Sequence, residues 1–117
     1  MNYIESKELS LHILSSIKYS VHFNKYEVDE EKDLDGIKYI TERNRPDIKI
    51  KTFKIKRREP GSYLFLLKTM KDTLKATDLF IIYSKMNEED EEELTSKLKS
   101  FAFKNKAFVV QLTEKGS

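Results

Sequence analysis

A run of five large apolar residues, Leu79-Phe80-Ile81-Ile82-Tyr83, constrains the fold of this chain more than any other feature. The run is too short for a core helix, and an extended chain of these residues presents apolar side chains on both of its faces. A strand that is buried on both faces is typical of a parallel sheet with helices packed on either side. The run therefore predicts the central strand of an α/β domain.

The spacing of apolar residues around this run predicts three helices. Apolar residues recur at helical spacing from Ser6 to Val21, from Ser62 to Leu74 and after Asn87. Leu64, Phe65 and Leu66 widen the apolar face of the second of these helices. Ser62 and Asn87 are residue types that cap helix N-termini.

Four short β-prone segments are predicted as strands, and the acidic stretch 24–35 between the first helix and the first strand is interpreted as a loop. The predicted strands cover residues 37–40, 48–56, 79–83 and 107–112. In the second of them, Ile48 and Ile50 have one parity and Phe53 and Ile55 the other, so a bulge near Thr52 is expected. The order of elements predicts a single three-layer α/β domain over residues 1–117, with an N-terminal helix, a short strand pair and a β-α-β-α-β unit on a mixed, largely parallel sheet.

Charge is strongly segregated along the chain although its net value is only +2. Six acidic residues and one lysine occupy residues 27–35, and an unbroken acidic run occupies residues 88–93. Eight basic residues and one acid lie between them, in residues 43–58. Separated charges of this kind produce local fields that attract a charged partner. The eight basic residues are Arg43, Arg45, Lys49, Lys51, Lys54, Lys56, Arg57 and Arg58.

The chain lacks residues that several classes of function require. The chain has no cysteine, no apolar run near the roughly 18 residues that span a bilayer, and no basic-then-apolar leader at its N-terminus. Its three glycines are not spaced as in phosphate-binding loops, and its two histidines have no ligand-type residues at metal-binding spacing. We therefore expect no metal, no other cofactor, no membrane association and an intracellular location, cytoplasmic or nuclear.

The predicted element order and a few residues resemble the restriction-endonuclease-like, or PD-(D/E)xK, superfamily. Asp35 before the strand 37–40 is similar to the first acid of that family, and Pro46-Asp47 repeats two letters of its motif. Aligning Lys54 with the family lysine places Thr52 where the second metal-binding acid belongs. Because one carboxylate does not hold a divalent cation there, the resemblance implies a catalytically degenerate, non-enzymatic relative.

Within that superfamily, the chain is most similar to the N-terminal jaw module of the fifth subunit of eukaryotic RNA polymerases. The similarity lies in Glu59-Pro60, in residues 68–71, in the apolar run 79–83 and in residues 109–113. This resemblance implies a role in transcription, with a jaw that faces downstream DNA and contacts transcription factors. The assembly domain of that family does not follow Ser117, which implies an excised domain or a different protein.

Three functions remain open on the sequence alone. The leading hypothesis is a non-enzymatic module of nucleic-acid or transcription machinery whose eight basic residues contact a DNA or RNA backbone, because alternate residues of a strand lie about 6.6 Å apart, close to phosphate spacing. The same lysines also fit an edge strand protected against aggregation. The second hypothesis is a protein-interaction or inhibitor module that uses its acidic faces, and the third is a metal-dependent nuclease that uses Asp35, Asp47 and Lys54.

Overall fold

Helices and strands alternate along the chain in the computed structural model, which describes residues 3–18, 22–56 and 62–114. A short 3-10 turn, Leu74–Ala76, precedes the third strand. The elements are α1 (Tyr3–Lys18), β1 (Phe23–Val28), α2 (Lys32–Asn44), β2 (Ile50–Ile55), α3 (Ser62–Asp72), β3 (Leu79–Ser84), α4 (Glu88–Asn105) and β4 (Val109–Glu114).

The four described strands form one parallel sheet in the order β1-β4-β3-β2. All six residues of β3 are buried, which confirms the prediction that the run 79–83 forms a central strand. The β-α-β-α-β unit from β2 to β4 is also confirmed. The predicted mixed sheet is wrong for the described strands, since every pairing is parallel.

A hydrophobic core lies on each face of the sheet, which confirms the three-layer α/β fold. Residues of α3 and α4 pack with Phe80 and Ile82 on one face. Residues of α1 and α2 pack with Ile81 and Tyr83 on the other face. Successive residues of β3 point to opposite faces, so its continuous apolar run fills both cores.

The segment 24–44 differs from the sequence-based prediction. The expected loop contains β1, and the expected strand 37–40 lies inside helix α2. Leu34, Ile37 and Ile40 are buried, and their spacing of three residues places them on one side of a helix. Tyr39 is 54% exposed although Ile37, two residues before it, is completely buried. Burial in this segment therefore does not alternate as it would along a strand.

The predicted bulge near Thr52 is also wrong, because β2 pairs with β3 in unbroken register from Ile50 to Ile55. Ile50 packs into the core beneath α1 and α2. Phe53 and Ile55 pack against the core beneath α3 and α4. Both parities of the strand are therefore buried without a change of register, because both faces of the sheet are covered.

The ends of α4 follow its sequence closely. Asn87 is the predicted N-cap, and its side-chain oxygen accepts a hydrogen bond from the backbone N–H of Asp90 at 2.8 Å. The helix ends at Asn105, and Lys106, which follows it, is left-handed with a φ of 53°. Ser62 begins α3 as predicted, and its side chain lies outside the described residues.

Substitution of Gly36 by alanine tests the assignment of α2. Gly36 lies within this helix, and an added Cβ would be 3.7 Å from the Ser6 hydroxyl oxygen, an ordinary contact. Because glycine is a poor helix former, we expect Gly36→Ala to raise the free energy of unfolding by roughly 0.5–1 kcal/mol. Urea unfolding measures this change. A loss of stability of that size would contradict the helical position of Gly36.

Candidate functional sites

The predicted basic segment includes an edge strand of the sheet, because β2 pairs only with β3 among the described strands. Arg43 is in the last turn of α2, and Arg45 and Lys49 lie between α2 and β2. Lys51 and Lys54 are in β2, and Lys56 follows it. The other two predicted residues, Arg57 and Arg58, lie outside the described residues.

The lysines of β2 do not share one face of the strand. Lys51 lies on the side of Phe53, with its Nζ 6.0 Å from the centre of that ring. Lys54 is paired in register with Tyr83 and points to the opposite face, beneath α1 and α2. These lysines are therefore divided between the two faces of an edge strand, a placement that protects such an edge from pairing with another chain.

Three of the basic side chains are paired with acids of this chain. Lys54 Nζ lies 3.3 Å and Lys56 Nζ 2.8 Å from the carboxylate of Glu31, which belongs to the acidic stretch 27–35. Arg45 pairs with Asp47 through two hydrogen bonds of 2.9 and 2.8 Å. The charge runs that are separated along the sequence are therefore partly neutralised in the fold.

A Glu31→Gln variant tests whether this pairing stabilises the protein. The hydrogen bond from Lys56, followed by that from Lys54, lowers the pKa of Glu31 below its ordinary value. Its contribution to stability is therefore present above the pKa of the unfolded chain and is lost as the pH falls through the folded pKa. We expect the variant to melt below the wild type at neutral pH and to lose this difference on acidification below about pH 4. A difference in melting temperature that does not change with pH would contradict the pairing.

The carboxyl ends of the strands, where open α/β sheets usually bind ligands, carry a second polar cluster. The Tyr83 hydroxyl donates to the Glu114 carboxylate, and Lys85 Nζ lies 3.2 Å from the same group. Burial, and then the hydrogen bond to Glu114, raises the pKa of Tyr83, while this bond and Lys85 lower the pKa of Glu114. The phenol stays protonated and the carboxylate ionised, so the cluster acts as an internal ion-pair network.

The residues proposed for a nuclease do not meet. Asp35 is exposed in the first turn of α2, not before a strand. Asp47 pairs with Arg45 at the amino end of β2, whereas Lys54 is near the carboxyl end of that strand. In the part of the chain that the structure describes, no three histidine, aspartate or glutamate side chains are grouped as metal ligands.

A groove that the sequence analysis did not predict lies between α3 and α4, with a volume of about 590 Å³. Leu64, Leu67 and Phe101 form its apolar surface, and Leu64 is 75% exposed. We call this site the lysine groove, after four lysines that line it. They are Lys68 and Lys71 from α3 and Lys97 and Lys104 from α4.

Within the described structure, the side chains that line the lysine groove carry positive charge only. Its lining contains no acidic residue, and none of its four lysines forms an ion pair with another described side chain. Leu64 and Phe65, expected on the buried face of α3, are each 75% exposed, whereas Leu66 is buried as expected. The outward-facing Leu64 is the one sequence signal of this groove, but the sequence alone predicts it as a core residue until the position of α4 is known.

Comparisons with protein-family models, with curated proteins and with solved structures found no match. Among the described residues, no helix combines the length and the apolar character needed to cross a membrane.

Proposed function

We propose that this chain is a non-enzymatic binding module for an anionic macromolecule, and that its contact surface is the lysine groove. The observation that supports this proposal most strongly is the combination of four lysines that form no ion pairs among the described residues and an apolar lining that is open to solvent. Exposed apolar surface with a charged rim is typical of interaction sites. Lysines at the rim attract an oppositely charged partner and favour its correct orientation.

The basic segment around β2 supports this function less well. Contact of Lys54 and Lys56 with a phosphate backbone would require both to give up Glu31. Lys51 lies on the other face of the strand. A binding function through β2 would therefore compete with pairing inside the protein, whereas the groove lysines have no such internal competitor among the described residues.

The paired groups at the carboxyl edge of the sheet support a role without catalysis. A general base needs a free carboxylate within reach of a substrate proton. Here Glu114 accepts from Tyr83 and pairs with Lys85, and Glu31 holds two lysines. The role in transcription that the resemblance implies is also a proposal. It agrees with a binding function without catalysis, because a polymerase jaw contacts other molecules and performs no reaction on them.

Fluorescence anisotropy with labelled duplex DNA, single-stranded DNA, RNA and poly-glutamate tests the proposal at about 50 mM and about 200 mM salt. The comparison uses a Lys68→Glu/Lys104→Glu variant and a Lys49→Glu/Lys51→Glu variant, which change the net charge equally. We expect at least one probe to bind in a salt-dependent way, and this binding to be lost only in the groove variant. No binding of these probes or of the amphipathic acidic peptide described below, or loss of binding only in the Lys49→Glu/Lys51→Glu variant, would overturn the proposal.

A further inference from the structure

We infer that the lysine groove binds an amphipathic helix of a partner protein, with an apolar stripe flanked on both sides by acidic residues. This inference rests on the proposed function and names its partner. It depends on three features of the groove: the chemistry of its lining, the arrangement of its lysines and the charge of the rest of the chain.

The lining of the groove favours an apolar protein surface over a nucleic acid. Proteins that bind single-stranded nucleic acids combine positive charge with exposed aromatic rings on which the bases stack. The aromatic residue in this groove, Phe101, is only 8% exposed, whereas the lining residue that is open to solvent is the aliphatic Leu64, beside the half-buried Leu67. Aliphatic surface is removed from water most effectively by apolar side chains of a partner.

The lysines form two rows that flank this lining. Lys68 and Lys71 are three residues apart on α3 and therefore share a face of that helix. Lys97 and Lys104 are seven residues apart on α4, which corresponds to about 10 Å along the helix axis. A third helix laid between the rows would contact them over two to three turns, or roughly 8–11 residues. Its acids would meet lysines on both flanks, and apolar residues at i, i+4 and i+7 would face the lining.

The most acidic helix of a second copy of this chain does not supply such a surface from its described residues. The acidic run Glu88–Glu93 begins α4, and the apolar residues that follow it, Leu94 and Leu98, are completely buried. This run offers negative charge without exposed apolar residues next to it. The complementary surface therefore belongs to another protein.

A synthetic peptide pair tests the inference on the full chain. The probe is a fluorescein-labelled amphipathic peptide with leucines at positions i, i+4, i+7 and i+11 and glutamates on both flanks. The control has the same composition in an order that puts the leucines on all sides of the helix. We expect the amphipathic peptide to bind about 10-fold or more tightly than the control, which corresponds to the burial of one or two additional apolar side chains.

Two variants locate the peptide. Leu64→Ala removes an exposed apolar side chain, so the fold is retained, as circular dichroism verifies, and affinity should fall severalfold. Lys49→Glu/Lys51→Glu should leave affinity within twofold of the wild type. Equal binding of the two peptides, an unchanged affinity in Leu64→Ala, or self-association of the chain through this surface would overturn the helix inference.

The failures of the two proposals are distinguishable. If duplex DNA, RNA or poly-glutamate binds through the groove lysines and the amphipathic peptide does not, the helix inference is wrong and the proposed function stands. If neither the nucleic acids nor any acidic peptide binds, both are wrong.

Discussion

Replacement of Leu98 by alanine will lower the free energy of unfolding by about 3 kcal/mol, a large fraction of the stability of a domain of this size. Leu98 lies on α4, is completely buried and belongs to the same core as Phe80 and Val109. The truncation removes buried apolar surface and leaves a cavity that the packed sheet and helices fill only in part. Urea unfolding followed by circular dichroism measures the change.

Leu64→Ala is the matched control, because the same atoms are removed from the same side of the sheet. Leu64 is 75% exposed at the groove, so this substitution should change stability by less than about 0.5 kcal/mol. Comparison of the two variants thus separates the contribution of a leucine to core packing from its contribution to binding. Equal losses of stability in both variants would contradict the position of α3 relative to α4.

Charge reversal in the groove is expected to have the largest effect on binding. In a Lys71→Glu/Lys97→Glu variant, one residue changes on each wall of the groove. Each reversal removes an attraction worth about 0.5–1 kcal/mol and adds a repulsion of similar size, so the two together should weaken binding of the amphipathic acidic peptide about 30- to 700-fold at low salt. The effect should shrink as salt screens these exposed charges.

The Lys49→Glu/Lys51→Glu variant controls for net charge, since both double variants lower it equally. Neither pair of lysines forms an ion pair in the described structure, so both variants should remain folded and unfold near the wild-type temperature. A similar loss of affinity in the two variants would indicate general attraction by the whole protein. In that case the groove would not be the contact surface.

The parts of the fold that the sequence predicted correctly are those in which local pattern and tertiary environment agree. The run 79–83 is apolar on both sides because it is a central strand, and the cap at Asn87 is a local hydrogen bond. Most of β1 falls in the predicted loop 24–35, because this stretch has no helical period and the strand that pairs with it, β4, lies more than 80 residues later. The segment around Ile37 has β-prone letters, but its burial against α1 follows the helical period.

The candidate site shows a different limit of the sequence. The basic segment around β2 is conspicuous because its basic residues are close together in the sequence, yet the fold brings Glu31 back to two of its lysines. Two of the groove lysines are on α3 and two are on α4. The nearest of them across the two helices, Lys71 and Lys97, are 26 positions apart in the sequence. Only the packing of both helices on one face of the sheet brings them together, and no local pattern records that adjacency.

Chemical protection of lysines tests the central claim, that the groove is the contact surface, most directly. The chain is treated with an acetylating reagent, with and without one of the anionic probes that bind in the anisotropy experiments. Mass spectrometry quantifies acetylation at each lysine. If the groove is the contact surface, the bound probe protects Lys68, Lys71, Lys97 and Lys104 from acetylation. Lys49 and Lys51 then remain as reactive as in the free protein. Protection of Lys49 and Lys51 with the groove lysines still reactive would contradict this claim.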